Sequence, residues 1–149
     1  MPSVTGVAPP KKILVAVDGS DSSYKAVDYA LMLAPLLGSE ITIINVMFLP
    51  GYFSQETQAL LREEQSLKGN EILSKAMKMG EGKRVALNSK LFETSSSIIS
   101  AIVDFADSLK ADMIVLGTRG TTPGIPKLAL GSVALGVVSF ANCPVTVVK

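Results

Sequence analysis

Asp112-Met-Ile-Val-Leu-Gly-Thr-Arg-Gly-Thr-Thr-Pro-Gly-Ile-Pro-Lys-Leu-Ala-Leu-Gly-Ser-Val133 decides how the rest of the chain is read. An apolar run, residues 113–116, breaks at Gly117; Gly120 follows, and Gly131 with Ser132 opens another apolar stretch. The pattern predicts a strand, a glycine-rich loop and a helix start. A parallel strand delivers its loop to the carboxyl edge of a sheet, where open α/β folds hold ligands. Glycines let main-chain N–H groups approach an anion with no Cβ in between. A helix beginning near Ser132 adds unpaired N–H groups and the positive end of its dipole. Arg119 offers a fixed charge and a fork of donors. Two glycines alone would only turn the chain. Three glycines, an Arg and a helix-capping Ser after a buried strand point instead to phosphate.

Working outward, 149 residues predict one domain with a core of its own. Lys plus Arg number 14 against 13 Asp plus Glu, a balance that draws the chain neither to nucleic acid nor to an anionic membrane. The single cysteine, Cys143, excludes an internal disulfide framework and fits a reducing, cytoplasmic setting. Residues 1–10 lack the basic-then-apolar layout of a signal peptide and are read as a loose tail before a domain at 11–149. No run reaches the about 18 apolar residues that cross a bilayer. The chain has no His, which removes the Ser-His-Asp triad, His acid–base catalysis and most zinc sites.

Residues 13–17 form a continuous apolar run, as in a strand covered on both faces, and end at Asp18-Gly19-Ser20. Asp21 or Ser22 is expected to cap a helix with Val27, Ala30, Ala34 and Leu37 inward, disturbed by Pro35 and ended by Gly38. Residues 41–46 are a second strand and 48–55 a loop. Residues 56–79 read as a helix with Leu60, Leu67, Ile72, Ala76 and Met79 as core positions, weakened at Gly69. Residues 84–92 alternate as a third strand. Ser95 to Ser97 start a helix whose stripe is Ile98, Ile102, Phe105 and Leu109. Residues 113–116 are the fourth strand, 132–141 the last helix and 145–148 the final strand. Strand and helix alternate throughout, which implies a parallel sheet with right-handed crossovers and helices on both faces. If strands one and four are neighbours, their loops part at a topological switch point and flank one crevice.

The sequence resembles the universal stress protein family. The resemblance rests on Ile-Leu-Val-Ala-Val-Asp-Gly-Ser (13–20), Ile-Ile-Asn-Val (43–46), Ala-Asp-Met-Ile-Val-Leu-Gly-Thr-Arg-Gly (111–120), Gly-Ser-Val-Ala (131–134) and Cys-Pro-Val-Thr-Val-Val (143–148), in that family's order. It implies an open five-stranded parallel α/β sheet of order 3-2-1-4-5, a Rossmann-like three-layer sandwich, and an ATP site built on a Gly-x2-Gly-x9-Gly-Ser/Thr loop. Carried over by residue, Asp18 would contact the ribose or adenine end, and Ala16, Val17 and Val46 would line the base. Leu116 ends the fourth strand beside them. Gly117, Arg119 and Gly120 would flank ribose and phosphates, and Gly131, Ser132 and Val133 would hold the phosphates, with Mg²⁺ bridging them. The resemblance also implies a homodimer paired through the last strand, at Val145 and Val147.

Two departures stand out. Ten residues, 121–130, separate Gly120 from Gly131 where the motif expects nine, and a bulge in Thr-Thr-Pro-Gly-Ile-Pro is expected to absorb the extra one. The segment 133–142 has no charge, so its helix is expected to be covered on more than one side, in a subunit contact, by the 48–55 loop, or by burial within the monomer. The reading is an ATP-binding stress-response regulatory module with at most weak ATPase activity. The alternative is a dimeric scaffold of the same fold without nucleotide. A phosphoacceptor receiver would need an Asp ending the third strand, where the chain has Leu91-Phe92-Glu93. Lys127 is read as solvated, the Asp104/Asp107 pair as an exposed helix face, and Cys143 as a small core residue.

Overall fold

A computed structural model of the chain describes Gly6, residues 8–118 and residues 130–149. Arg119, Gly120, Lys127 and the Thr-Thr-Pro-Gly-Ile-Pro segment lie outside the described residues, as does most of the tail. Nine elements follow in order: β1 (Lys12–Ala16), α1 (Asp21–Leu37), β2 (Glu40–Phe48), α2 (Gln55–Met79), β3 (Leu87–Thr94), α3 (Ile98–Leu109), β4 (Met113–Gly117), α4 (Ser132–Phe140) and β5 (Val145–Val148). All strand pairs are parallel, and the sheet order is β3-β2-β1-β4-β5.

β1 lies at the centre because its side chains are apolar on both faces: Ile13, Leu14 and Val15 are fully buried. Strand alternation sends Ile13, Val15 and Val17 into one core layer with α1 and α2. Leu14, Ile44, Ile114 and Leu116 enter the other layer, under α3 and α4. The amino edge is closed by Asp112, whose Oδ2 accepts from the backbone N–H groups of Lys11 and Lys12, both at 2.9 Å.

The helix ends follow local chemistry, with corrections. Ser20, not Asp21 or Ser22, caps α1, its Oγ accepting from the Ser23 N–H at 3.1 Å. Pro35 sits inside α1, which runs on to Gly38 in the left-handed region at φ 67°. Ser97 caps α3 through the Ser100 N–H at 3.0 Å. The third strand begins and ends later than its alternation implies.

Leu60 and Leu67 are not core residues; they are 69% and 65% exposed. The inward line of α2 is Gly69, Leu73 and Ala76, and Leu73 was not foreseen. Leu60 and Leu67 share a face because seven residues make nearly two turns, but that face is turned from the sheet. Gly69 is the closest approach: a Cβ there would sit 2.5 Å from Leu91 Cδ1 and 2.7 Å from Asn45 Oδ1. The glycine that weakens the helix by propensity is what lets the helix lie down on β2 and β3.

The uncharged α4 is not buried within the monomer, nor covered by the 48–55 loop: Leu135 is 55%, Val138 46% and Phe140 69% exposed. Only Ala134 and Val137 are fully turned inward. Gly136 lets α4 close on α3, since a Cβ there would meet the side chain of Ile99.

Candidate functional site

The strand order places β1 beside β4, and the chain leaves them to opposite faces: β1 leads to α1, β4 to α4. That divergence opens a crevice at their carboxyl ends, the position where open parallel sheets hold ligands. Three loop ends meet there. The Gly131 N–H donates to the Thr118 carbonyl at 2.7 Å, joining the start of α4 to the end of β4. The Thr118 and Ser22 hydroxyls lie 3.4 Å apart, joining β4 to the first turn of α1.

Gly117 has a steric reason beyond any ligand. A Cβ there would fall 2.5 Å from the carbonyl carbon and oxygen of Ser22. Only glycine lets α1 start against β4. Ser22, expected as a helix cap, instead meets Thr118, for which a hydroxyl directly following a strand-ending glycine is the sequence signal.

At α4 the cap is Gly131, in extended conformation with no side-chain bond, and Ser132 is the first helical residue rather than the cap. With the Gly131 N–H committed to Thr118, the amides of Ser132, Val133 and Ala134 are the first-turn donors that have no acceptor inside the helix. The helix dipole adds to their pull on an anion. Gly131 is buried and Ser132 exposed.

Ala16, Val46, Leu116 and Val133 all belong to the α3/α4 layer, so one apolar surface runs from the crevice floor to the first turn of α4. Val17 does not join them. Its side chain is buried in the opposite layer, so only its backbone reaches this side. Asp18 is exposed at the mouth, held in a turn: its Oδ1 accepts from the Ser20 N–H at 2.9 Å and the Ser20 hydroxyl at 2.6 Å. Burial and then the Asp18 carboxylate push the Tyr24 phenol above its usual range. At the far edge, burial pushes the Cys143 thiol up, helped by Asp107 and Asp112, which keeps it a thiol at neutral pH and fits a packing role.

Among the described residues no group of three or more His, Cys, Asp or Glu side chains could hold a metal ion. None of the described helices is long and apolar enough to cross a membrane.

An open parallel sheet with this crevice defines the doubly wound α/β proteins, which place their ligands at a switch point. The model of the universal stress protein family matches residues 9–149, and the chain belongs to that family. It is 37% identical over 142 residues to a universal stress protein of Methanocaldococcus jannaschii, covering 93% of this chain and 82% of the relative. Among solved structures, universal stress protein UspA of Lactobacillus plantarum shares the fold with a TM-score of 0.84 at 24% identity, over 96% of this chain and 100% of that one. The universal stress protein of Archaeoglobus fulgidus in complex with dAMP is similar at 26% identity and a TM-score of 0.69, covering 93% and 98%.

Proposed function

We propose that this chain binds an adenine nucleotide, ATP in the first instance, over the carboxyl ends of β1 and β4, and serves as a stress-response regulatory module. The observation that carries the reading is the joining of the α4 start to the β4 end through Gly131 and Thr118. It supports the idea that the longer 121–130 connection leaves both ends of the phosphate loop in place. In this reading the Ser132, Val133 and Ala134 amides take the phosphates, and Ala16, Val46 and Leu116 take the base. Asp18 stands at the ribose or adenine end. Arg119 and Gly120 complete the loop as their sequence positions imply. The dAMP held by the Archaeoglobus fulgidus relative supports an adenine ligand.

Mg²⁺ would arrive chelated by the phosphates, with the chain itself holding the phosphates rather than the metal. Turnover is expected to be slow. No His is present, and the Asp18 carboxylate is already engaged by Ser20. A micromolar site corresponds to roughly −8 kcal/mol, within reach of several amide–phosphate bonds plus a buried base. The test is to denature the purified protein, identify any released nucleotide, and titrate the refolded or stripped protein with ATP in a calorimeter. Released adenylate or a micromolar isotherm supports the reading. No nucleotide and no heat at millimolar ATP favour the scaffold, the reading to which the extra residue in the 121–130 connection points.

A homodimer through β5 belongs to the same proposal. The two sheet edges differ: β3 presents Lys90 and Glu93, whereas Val145, Thr146, Val147 and Val148 carry no charge. Charge on an edge strand guards it against pairing, and its absence invites pairing. Exposed apolar side chains flank that edge. Tyr29 and Met32 of α1 share a shallow concavity with Val148, alongside Lys25, Asp28 and Lys149. Val147→Lys is expected to lower the light-scattering mass from about twice 15.6 kDa to 15.6 kDa with an unchanged circular dichroism spectrum. An unchanged mass would remove edge pairing.

A further inference from the structure

We infer that Asn45 is a positioning residue for the nucleotide site, setting the Asp18 turn through the Val17 carbonyl. The inference rests on the reading just given for the crevice. β2 is apolar at Ile41, Ile43, Ile44, Val46 and Met47, and Asn45 is a buried polar interruption of that run. A buried amide is costly unless bonded. Its Nδ2 donates to the Val17 carbonyl at 2.8 Å. An apolar side chain of the same size would pack as well against Leu91, its partner across the strand pair, but could not make this bond.

The bond falls where β1 stops being a strand. The ladder between β1 and β2 ends at Ala16 opposite Ile44, and the Val17 N–H makes one more bond, to the Ile44 carbonyl at 2.9 Å. With Asn45 on its carbonyl, Val17 is held to β2 by both backbone groups. The next residue is Asp18. Its N–H reaches Ser23 Oγ at 3.4 Å, and its Oδ1 accepts from the backbone and hydroxyl of Ser20. The peptide entering the turn is therefore fixed from β2, the Asp18 amide from α1, and the carboxylate by the Ser20 cap.

A second residue supports the assignment. Gly69 stands in the middle of α2, where glycine is a poor choice, and an added Cβ would come within 2.7 Å of Asn45 Oδ1. Two locally unfavourable residues, a polar side chain in a buried strand and a glycine in a helix, meet at one point. Sequences break local rules in this way chiefly where a site needs them to.

The test compares the wild type with Asn45→Leu, which keeps the branched shape and removes the donor, with Asn45→Ala as a second variant should the bulkier methyl groups pack badly. Each is measured alone and combined with Asp18→Ala. Asn45→Leu is expected to weaken ATP binding about tenfold, the order expected for loss of a buried hydrogen bond. In the Asp18→Ala background the same change is expected to have no further effect, because the two act through one route. Independently of nucleotide, the Ser20 amide is expected to exchange with solvent about tenfold faster in folded Asn45→Leu, while Val115 exchange stays unchanged. Losses that multiply in the double variant, or Ser20 exchange at the wild-type rate, would overturn the inference. A wild type that binds no ATP removes the functional reading instead, and Ser20 exchange still decides whether Asn45 sets the Asp18 turn.

Discussion

Gly117→Ala is expected to destabilise the protein by about 3 kcal/mol, the upper part of the range for overpacking, and to lower Tm by about 6–12 °C in a chain of this size. The added methyl would press on the carbonyl carbon and oxygen of Ser22, 2.5 Å away. Those atoms belong to the first turn of α1 and have no rotamer into which to retreat. The helix has to shift, and with it the contact between Ser22 and Thr118 that draws the crevice together. Gly51→Ala is the matched control: nothing lies within 4 Å of its added Cβ, so its midpoint should hardly move. Thermal melts of the two variants read the difference directly. Equal midpoints would show that Gly117 serves only as a turn.

Ser132→Asp is the second large effect, and its two consequences carry opposite signs. At the first helical position of α4 a carboxylate meets the positive end of the dipole. It should stabilise the fold by about 0.3–1 kcal/mol, a modest rise in Tm. The same charge sits where phosphates are proposed to lie. Like charges about 4 Å apart near a protein surface repel by about 4 kcal/mol, so nucleotide affinity is expected to fall at least about 100-fold. A stabilised variant that no longer binds separates an anion site from a generic structural role for this turn. Wild-type affinity in Ser132→Asp would place the phosphates elsewhere.

Much of this architecture is legible in the sequence because periodicity and chain order carry it. The β1 run and the strand–helix alternation fix a parallel sheet, and the glycine-rich stretch after β4 marks its carboxyl edge. Sequence and structure part where side chains are ambiguous or absent. α2 has apolar residues on both faces, so counting leucines selected Leu60 and Leu67, while the true inward line began at a residue with no side chain, Gly69. Ser132 has the side chain of a good cap, yet the chain bends one residue earlier at Gly131, where an extended backbone suffices. Val17 and Ala16 are neighbours in sequence, but adjacent strand residues face opposite layers. Asn45 lies within the Ile-Ile-Asn-Val stretch, but its partner is a backbone carbonyl that no residue pattern reveals. The absence of charge on α4 implies a cover on more than one side, and the structure leaves Leu135 and Phe140 exposed.

The most direct measurement is an amide chemical-shift titration of the ¹⁵N-labelled protein with ATP. The account predicts saturable shifts that share one affinity at Ser132, Val133 and Ala134 in the first turn of α4, at Gly117 and Asp18, and at Val46. Silence at Ser132 and Val133 under millimolar ATP, or shifts gathered instead on the outer faces of α1 and α2, would contradict it.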